Sequence, residues 1–355
     1  MAGSELLPRM NDHAILIVRG ADVENLLAGQ EADVVEAVRG AYLAHARGKS
    51  CLPHSTFLRF PDDDLNRIIA LPGYLGDGFA VAGVKWIASF PGNVKHGTPR
   101  ASAVLILNNV STGLPEAILE SSLISARRTA ASAALAAREL RRGRATGAVG
   151  LIGTGVINFE TARFLLHTMP DLDRFQLFDL DRDRAAHMAA RIAEMARSVR
   201  VVGSGRKLEV LVADEPAAIL RACPLVAFAT TAVRPHVADL SSCPAGATIL
   251  HTSLRDLTPE VILASDNVVD DPDHVSRAQT SIHLAEERAG HRDFIRCTLA
   301  DLLTGAAAAK ADEDAVTVFS PFGLGVLDLA VGDLVRRRAL ASGRGAIIES
   351  FLPGS

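Results

Sequence analysis

The chain has 355 residues, 48% hydrophobic and 22% charged, with a formal net charge of −4, which leaves room for one large or two ordinary domains with proper cores. With 37 basic against 41 acidic residues and no basic tract interleaved with aromatics, it lacks the electrostatic footprint of a nucleic-acid binder. Cys51, Cys223, Cys243 and Cys297 lack paired CxxC spacing and read as reduced packing residues; no long apolar window marks a membrane span or leader, so a cytoplasmic protein without membrane association is expected.

Periodic structure begins at Ala14, with an apolar run to Val18 and a helical stretch from about Glu31 to Ala46. Strands are expected at 54–60, 67–71, 80–89, 101–109 and 115–119. The turn-rich Asn109-Val-Ser-Thr-Gly113 joins the last two as a hairpin and predicts an antiparallel or mixed sheet. Ser121-Ser122 then caps an alanine-rich helix that ends at Gly143; its small side chains permit close backbone approach, which suits a place between two domains.

From Thr146 onward strand, glycine turn and helix alternate: VGLI, helix 156–168, FQLFD, helix 182–197, LEVLV, a short helix near 216–221, LVAFATT and ATILH. That alternation predicts a parallel sheet covered by helices. Asn267–Asp270 and weaker helices to about Leu303 continue the unit, and GAAAAKADED at 305–314 reads as a connector. The strand AVTVF at 315–319 leads into a helix of about 326–340 that returns to the first domain. The expected fold class is α/β, with a parallel-sheet domain over 129–320 and a discontinuous α+β domain made of 10–128 and 321–350.

The sharpest motif is Gly150-Leu-Ile-Gly153-Thr-Gly155-Val-Ile-Asn158, which follows a strand and opens a helix. Gly153 permits the tight turn, Gly155 lets the backbone approach a pyrophosphate, and the helix N-terminus stabilises its charge. Asn158 stands where the commonest fingerprint has its third glycine. Asp179 ends the next strand 24 residues after Gly155, where a carboxylate accepts hydrogen bonds from an adenosine ribose, so a Rossmann-type domain binding a dinucleotide is expected. Asp179 would repel a 2′-phosphate, which favours NAD over NADP; Arg182 and Arg184 read either as partners of such a phosphate or as solvated helix residues. A second pair, Gly323-Leu-Gly325, reads as a close backbone approach without a second Rossmann unit.

Arginine grips carboxylates bidentately, and the first domain offers Arg59, Arg67, Arg100 and the pair Arg127-Arg128. Lys85 is set apart by its place inside the apolar run VAGVKWIASF beside the only tryptophan; a lysine buried there without a partner would lose its charge. It is a candidate carboxylate ligand or base. His251, ending ATILH, is a second candidate for proton transfer, against the alternative of a packed, satisfied histidine. Asp270-Asp271-Pro-Asp273-His274 reads as a solvated turn, and no metal is expected. His283 and His291 lack HExxH spacing, and Ser55, Ser89 and Ser102 have no visible His/Asp arrangement for nucleophilic catalysis.

Val84-Lys85-Trp86 with Phe90-Pro91-Gly-Asn93, Thr112-Gly113-Leu-Pro115, Arg128-Thr129-Ala130-Ala131, Gly153-Thr-Gly155 and Thr317-Val-Phe319 through Gly323 to Asp328 occur in the order seen in the ornithine cyclodeaminase and mu-crystallin family, which the chain resembles over roughly 14–345. The resemblance implies an NAD-dependent oxidoreductase that forms a homodimer through its first domain and takes a small amino acid substrate between that domain and the Rossmann domain. It makes Lys85 a substrate-binding lysine, sets Arg128 near the substrate carboxylate and the nicotinamide, and puts Arg100 at a cofactor-contacting position; Arg59 and Arg67, with Arg100 and Arg128, are the candidate ligands of substrate carboxylates by their own chemistry. Gly153, Thr154, Gly155, Val156, Ile157 and Asn158 match the pyrophosphate turn, and Asp179 the ribose acid. Thr230, Thr231, Ser253, Phe322 and Gly323 fall at further cofactor positions.

Two departures bear on the reaction. Where many members carry a substrate arginine soon after a proline, this chain reads Pro53-His54-Ser55, and Arg59, four residues past Ser55 on the same strand face, is the substitute. The glycine-rich loop that carries the cyclodeaminase aspartate is shortened to Ile249-Leu-His251-Thr-Ser253-Leu before Arg255-Asp256-Leu-Thr258-Pro259-Glu260, where Asp256 matches a helix-start acid. The ILHTSLRDL, RIIALPGYL and LESSLISARRTAASA segments are most similar to the branch of N-(2-amino-2-carboxyethyl)-L-glutamate dehydrogenases, whose three-carboxylate substrate suits an arginine-rich domain. That branch implies release of 2-oxoglutarate and 2,3-diaminopropionate for siderophore or peptide antibiotic synthesis. The alternatives are cyclodeamination or ketimine and imine reduction within the family, and, in another class, a crystallin-like dinucleotide-binding protein without turnover.

Overall fold

The computed structural model describes residues 13–200 and 208–353. The chain forms two compact units, one drawn from the chain up to Arg128 and from Leu324 onward, the other of Thr129–Gly323. The first unit is built on a mixed sheet in the order Ala346–Ile348, Ile15–Val18, Pro115–Glu120, Ala101–Asn109, Val81–Ser89, Asp63–Leu75 and Ser50–Cys51, with Thr56–Phe60 also pairing Asp63–Leu75. Ile15–Val18 runs parallel to Pro115–Glu120, and the other pairs are antiparallel.

The strand expected at 67–71 extends over Asp63–Leu75 and is not broken at Pro72. Thr56–Phe60 pairs residues 63 and 67–70, and Ser50–Cys51 pairs 74 and 75, so Pro72 falls in the gap between two outer partners, where a missing donor is tolerated. Ala346–Ile348, unexpected from sequence, is 3 residues long and exposed, too short to carry a pattern of its own. Cys51, expected to pack, is exposed in the edge strand.

Burial alternates along Ala101–Asn109, with Ala103, Leu105 and Leu107 turned inward and Val104 outward. The helix Gly325–Ser342 lies on the inward face. Gly332 makes that approach possible, since a Cβ there would stand 2.2 Å from Leu105 Cδ2. The same helix bears Asp328 in its first turn.

The second unit is an eight-stranded sheet in the order Glu209–Val212, Arg174–Phe178, Ala148–Ile152, Leu225–Phe228, Thr248–His251, Thr317–Ser320, Asp266–Val269 and Ile295–Thr298, every pair parallel. Every residue of Leu225–Phe228, Thr248–His251, Asp266–Val269 and Thr317–Ser320 is buried, as parallel strands covered on both faces require. Ile295–Thr298, expected within weaker helices, is the edge strand, stabilised by parallel pairing with Asp266–Val269. Thr317–Ser320, late in the chain, inserts between Thr248–His251 and Asp266–Val269, so the loop after it meets the ends of both. Among the described residues, no helix is long and apolar enough to cross a membrane.

Candidate active site

Strand register gathers the cationic residues of the first unit. Arg59 lies opposite Arg67, and Arg67 opposite Ser89, while Lys85 is four residues from Ser89 on the same strand, so all four share one face of the sheet. Arg100 immediately precedes Ala101, the cross-strand partner of Ser89. Its guanidinium is held below its ordinary range by burial; its Nε and the Ser89 hydroxyl are buried without a hydrogen-bond partner, as groups awaiting a ligand would be. Arg59 is exposed, its guanidinium carbon 5.7 Å from the Phe57 ring centroid.

Lys85 is 2% exposed and does have a partner: its Nζ donates to Asp328 Oδ2 at 2.7 Å and to Ser125 Oγ at 3.2 Å. Arg128, one helical turn beyond Ser125, donates from Nε to the other Asp328 oxygen at 3.2 Å. One fully buried carboxylate thus serves two buried cations, leaving an excess of positive charge suited to a substrate carboxylate. Burial pushes the Lys85 ammonium down, Asp328 raises it and Arg128 lowers it further, to about 8. Asp328 and Ser125 escaped the assignment of roles from sequence, although an acid in the apolar run GVLDLAVGDLV carries the same signal as Lys85 in VAGVKWIASF.

In the second unit the turn after Ala148–Ile152 fits a dinucleotide. Gly153 has φ +89°, and a Cβ there would stand 2.5 Å from Ala229 O. At Gly155 an added Cβ would meet nothing within 4 Å, so its absence leaves an open cradle. The helix Val156–Thr168 starts at Gly155 without a side-chain cap, keeping its first N–H groups for an anion, with Val156 exposed and Ile157 partly so. Asn158 acts from beneath: fully buried, it donates from Nδ2 to Ile152 O at 3.0 Å and Gly153 O at 2.7 Å, tying the turn to the strand end. Its expected place at the cofactor surface is therefore corrected to a support below it.

Asp179 Oδ2 accepts from Thr154 N at 2.8 Å and Thr154 Oγ1 at 2.6 Å. Burial acts to raise its carboxyl, but these bonds and the Asp181 N–H hold it below the usual carboxylate range, so it presents charge at the strand end. Arg182 is engaged at 2.5 Å by Asp214, while Arg184 lends charge to Asp179. Replacing Asp179 with alanine is expected to weaken NAD binding about tenfold while leaving NADP binding unchanged or tighter, as titration calorimetry of both nucleotides would read.

Thr230, Ser253, Phe322 and Gly323 converge at the ends of three neighbouring strands, and Thr231 is exposed beside them. Asp256, expected as a helix-start acid, lies before the Thr258 cap and is fully buried; its carboxylate accepts short hydrogen bonds from the Thr230 and Ser253 hydroxyls. His251 is fully buried, with both ring nitrogens engaged: Asp256 N donates to Nε2 at 3.1 Å, and Nδ1, which then carries the proton, lies 3.1 Å from Ser320 Oγ. That corrects its expected proton-transfer role, since neither nitrogen is left for a substrate. Asp270, expected in a solvated turn, is 2% exposed and accepts from Phe322 N at 2.9 Å and Gly323 N at 2.7 Å; Asp271 caps the next helix.

A model of the ornithine cyclodeaminase/mu-crystallin family matches residues 13–343. The N-((2S)-2-amino-2-carboxyethyl)-L-glutamate dehydrogenase of Staphylococcus aureus is 26% identical over 343 residues, 95% of this chain and 99% of that one. The alanine dehydrogenase of Archaeoglobus fulgidus is 26% identical over 340 residues, 95% of this chain and 98% of its own. The solved Delta(1)-pyrroline-2-carboxylate reductase of Thermococcus litoralis, in complex with NADH and L-proline, superposes with a TM-score of 0.84 at 23% identity, covering 94% of this chain and 99% of that one.

Proposed function

Since the chain belongs to the ornithine cyclodeaminase/mu-crystallin family, we propose that it is an NAD-dependent oxidoreductase acting on a CH–NH bond, with N-(2-amino-2-carboxyethyl)-L-glutamate as substrate and 2-oxoglutarate and L-2,3-diaminopropionate as products. The observation that carries this reading is the buried Lys85–Asp328–Arg128 cluster, two cations on one acid, in a unit that also holds the partnerless Arg100 Nε. A substrate with three carboxylates suits it; the side-chain ammonium of ornithine would be repelled.

Held at the Gly153–Gly155 turn and by Asp179, NAD would supply the acceptor for the hydride of the glutamate Cα. The substrate amine must be neutral before that C–H bond breaks; in this reading Lys85, lowered to about 8, takes its proton in the fraction of molecules whose Nζ is neutral. Loss of hydride from the neutral amine leaves an iminium ion; water adds to its carbon with release of a proton, and the C–N bond of the carbinolamine breaks as the nitrogen takes up a proton and the hydroxyl loses one, freeing the keto acid and the diamine. Arg128 and Arg100 hold carboxylates through this sequence, and Ser125 orients the Lys85 ammonium. Incubating the protein with NAD and this substrate, then identifying products by mass spectrometry, is expected to show one 2-oxoglutarate per NADH. Ammonia released from ornithine without net NADH would instead establish cyclodeamination.

A homodimer belongs to the same proposal. Leu58, Tyr74, Trp86 and Val104 are exposed on one face of the first unit's sheet, an apolar surface that a second copy would cover. Trp86→Asp is expected to convert a dimer into monomers in light scattering coupled to gel filtration; a Trp86→Asp protein that elutes with the wild-type mass would refute this interface.

A further inference from the structure

At the C-terminal edge of the parallel sheet, hydrogen-bond donors are turned inward. The Thr230 and Ser253 hydroxyls donate to Asp256, and the Phe322 and Gly323 amides donate to Asp270. The Thr252 and Ser253 amides, both at 3.1 Å, and the Thr252 hydroxyl at 2.7 Å all donate to Phe228 O. A hydroxyl whose proton is committed offers only lone pairs outward.

These loops follow Leu225–Phe228, Thr248–His251 and Thr317–Ser320, on the far side of Ala148–Ile152 from Asp179. A dinucleotide bound at the switch point, with its adenosine at Asp179, has its pyridine half over them. Both acids are positioned to act as fixed negative charge. Burial acts to raise the Asp256 carboxyl, but the Ser253 and Thr230 hydroxyls that donate to it hold it below the usual range. Burial pushes Asp270 up to about 6 against the pull of the backbone amides it accepts from, so it too is ionised above neutrality.

We propose that Asp256 and Asp270 are positioning residues that commit the donors of these loops and leave a rim of acceptors, which takes the carboxamide N–H groups of a nicotinamide and refuses the carboxylate of nicotinic acid. The proposal rests on the cofactor reading above and adds which chemistry of the ring substituent is recognised, and by what. The direct test is titration calorimetry of the full chain at pH 8 with NAD, nicotinic acid adenine dinucleotide and ADP-ribose. The wild type is expected to bind NAD at least about tenfold tighter than the acid analogue, about 1.4 kcal/mol. In Asp256→Asn and Asp270→Asn the ratio is expected to shrink about threefold or more while ADP-ribose affinity stays within about twofold. A wild-type ratio near one, or variants in which all three affinities fall together, overturns the proposal. If both variants fail to fold, Ser253→Ala, which removes one acceptor and no charge, decides: a narrowed ratio supports the rim and an unchanged one overturns it. Wild-type protein that binds neither NAD nor ADP-ribose overturns the cofactor reading as well, whereas binding without discrimination overturns this inference alone.

Discussion

Lys85→Met is expected to lower kcat for NADH formation by about 10²- to 10⁴-fold, the range over which a positioned proton acceptor contributes. Methionine keeps most of the volume of a side chain that is 2% exposed, and Asp328 retains Arg128 at 3.2 Å, so the fold has no new unpaired charge to bear. The loss would therefore appear in kcat with a melting temperature close to wild type. A Lys85→Met enzyme within about threefold of wild-type kcat would remove Lys85 from proton transfer and leave it a carboxylate ligand at most. In the wild type, with Lys85 at about 8, the rate is expected to rise as pH passes that value and the amine becomes neutral.

Asp328→Asn attacks the same cluster from the other side and is expected to cost stability as well as rate. The carboxylate is fully buried and holds Lys85 at 2.7 Å and Arg128 at 3.2 Å; without it two buried cations face each other with no counter-charge, a defect of about 3–5 kcal/mol. A fall of roughly 10 °C in melting temperature follows for a domain of this size. Because Asp328 is what raises Lys85 against its burial, its removal is expected to carry the Lys85 titration, and with it the rising limb of the pH–rate profile, to lower pH. The wild-type linkage has a definite sign. With the folded ammonium at about 8 against an ordinary 10.5, the unfolded chain binds more protons between those values, so this group's penalty is present in full below pH 8 and stability rises with pH through that window. A pH–rate limb that stays in place in Asp328→Asn would show that Lys85 does not own it.

The difference between what was legible and what was not has a physical basis. Val156–Thr168 coincides with the helix expected there, because a glycine turn and a helical apolar period are local signals. Lys85 stood out for the same reason, a charge inside an apolar run. Asp256 and Asp270 did not: each acid lies in a polar segment, and its burial arises only when Thr317–Ser320 inserts between two earlier strands and brings the Phe322 and Gly323 amides to Asp270. His251 shows the converse, a plausible proton carrier until its neighbours are known.

The amino-acid sequence by itself determined the alternation of elements, the Gly153–Gly155 turn with its acid at Asp179, the cationic character of the leading strands and the family, because each resides in residues near one another along the chain or in the order of motifs. Only the tertiary structure decided that Asp328, 243 positions from Lys85, is its counter-ion, that Asn158 supports the turn from below, and that His251 is spent on scaffolding. Those pairings depend on strand order and on how closely one helix approaches a sheet, and neither is encoded in any short window of residues.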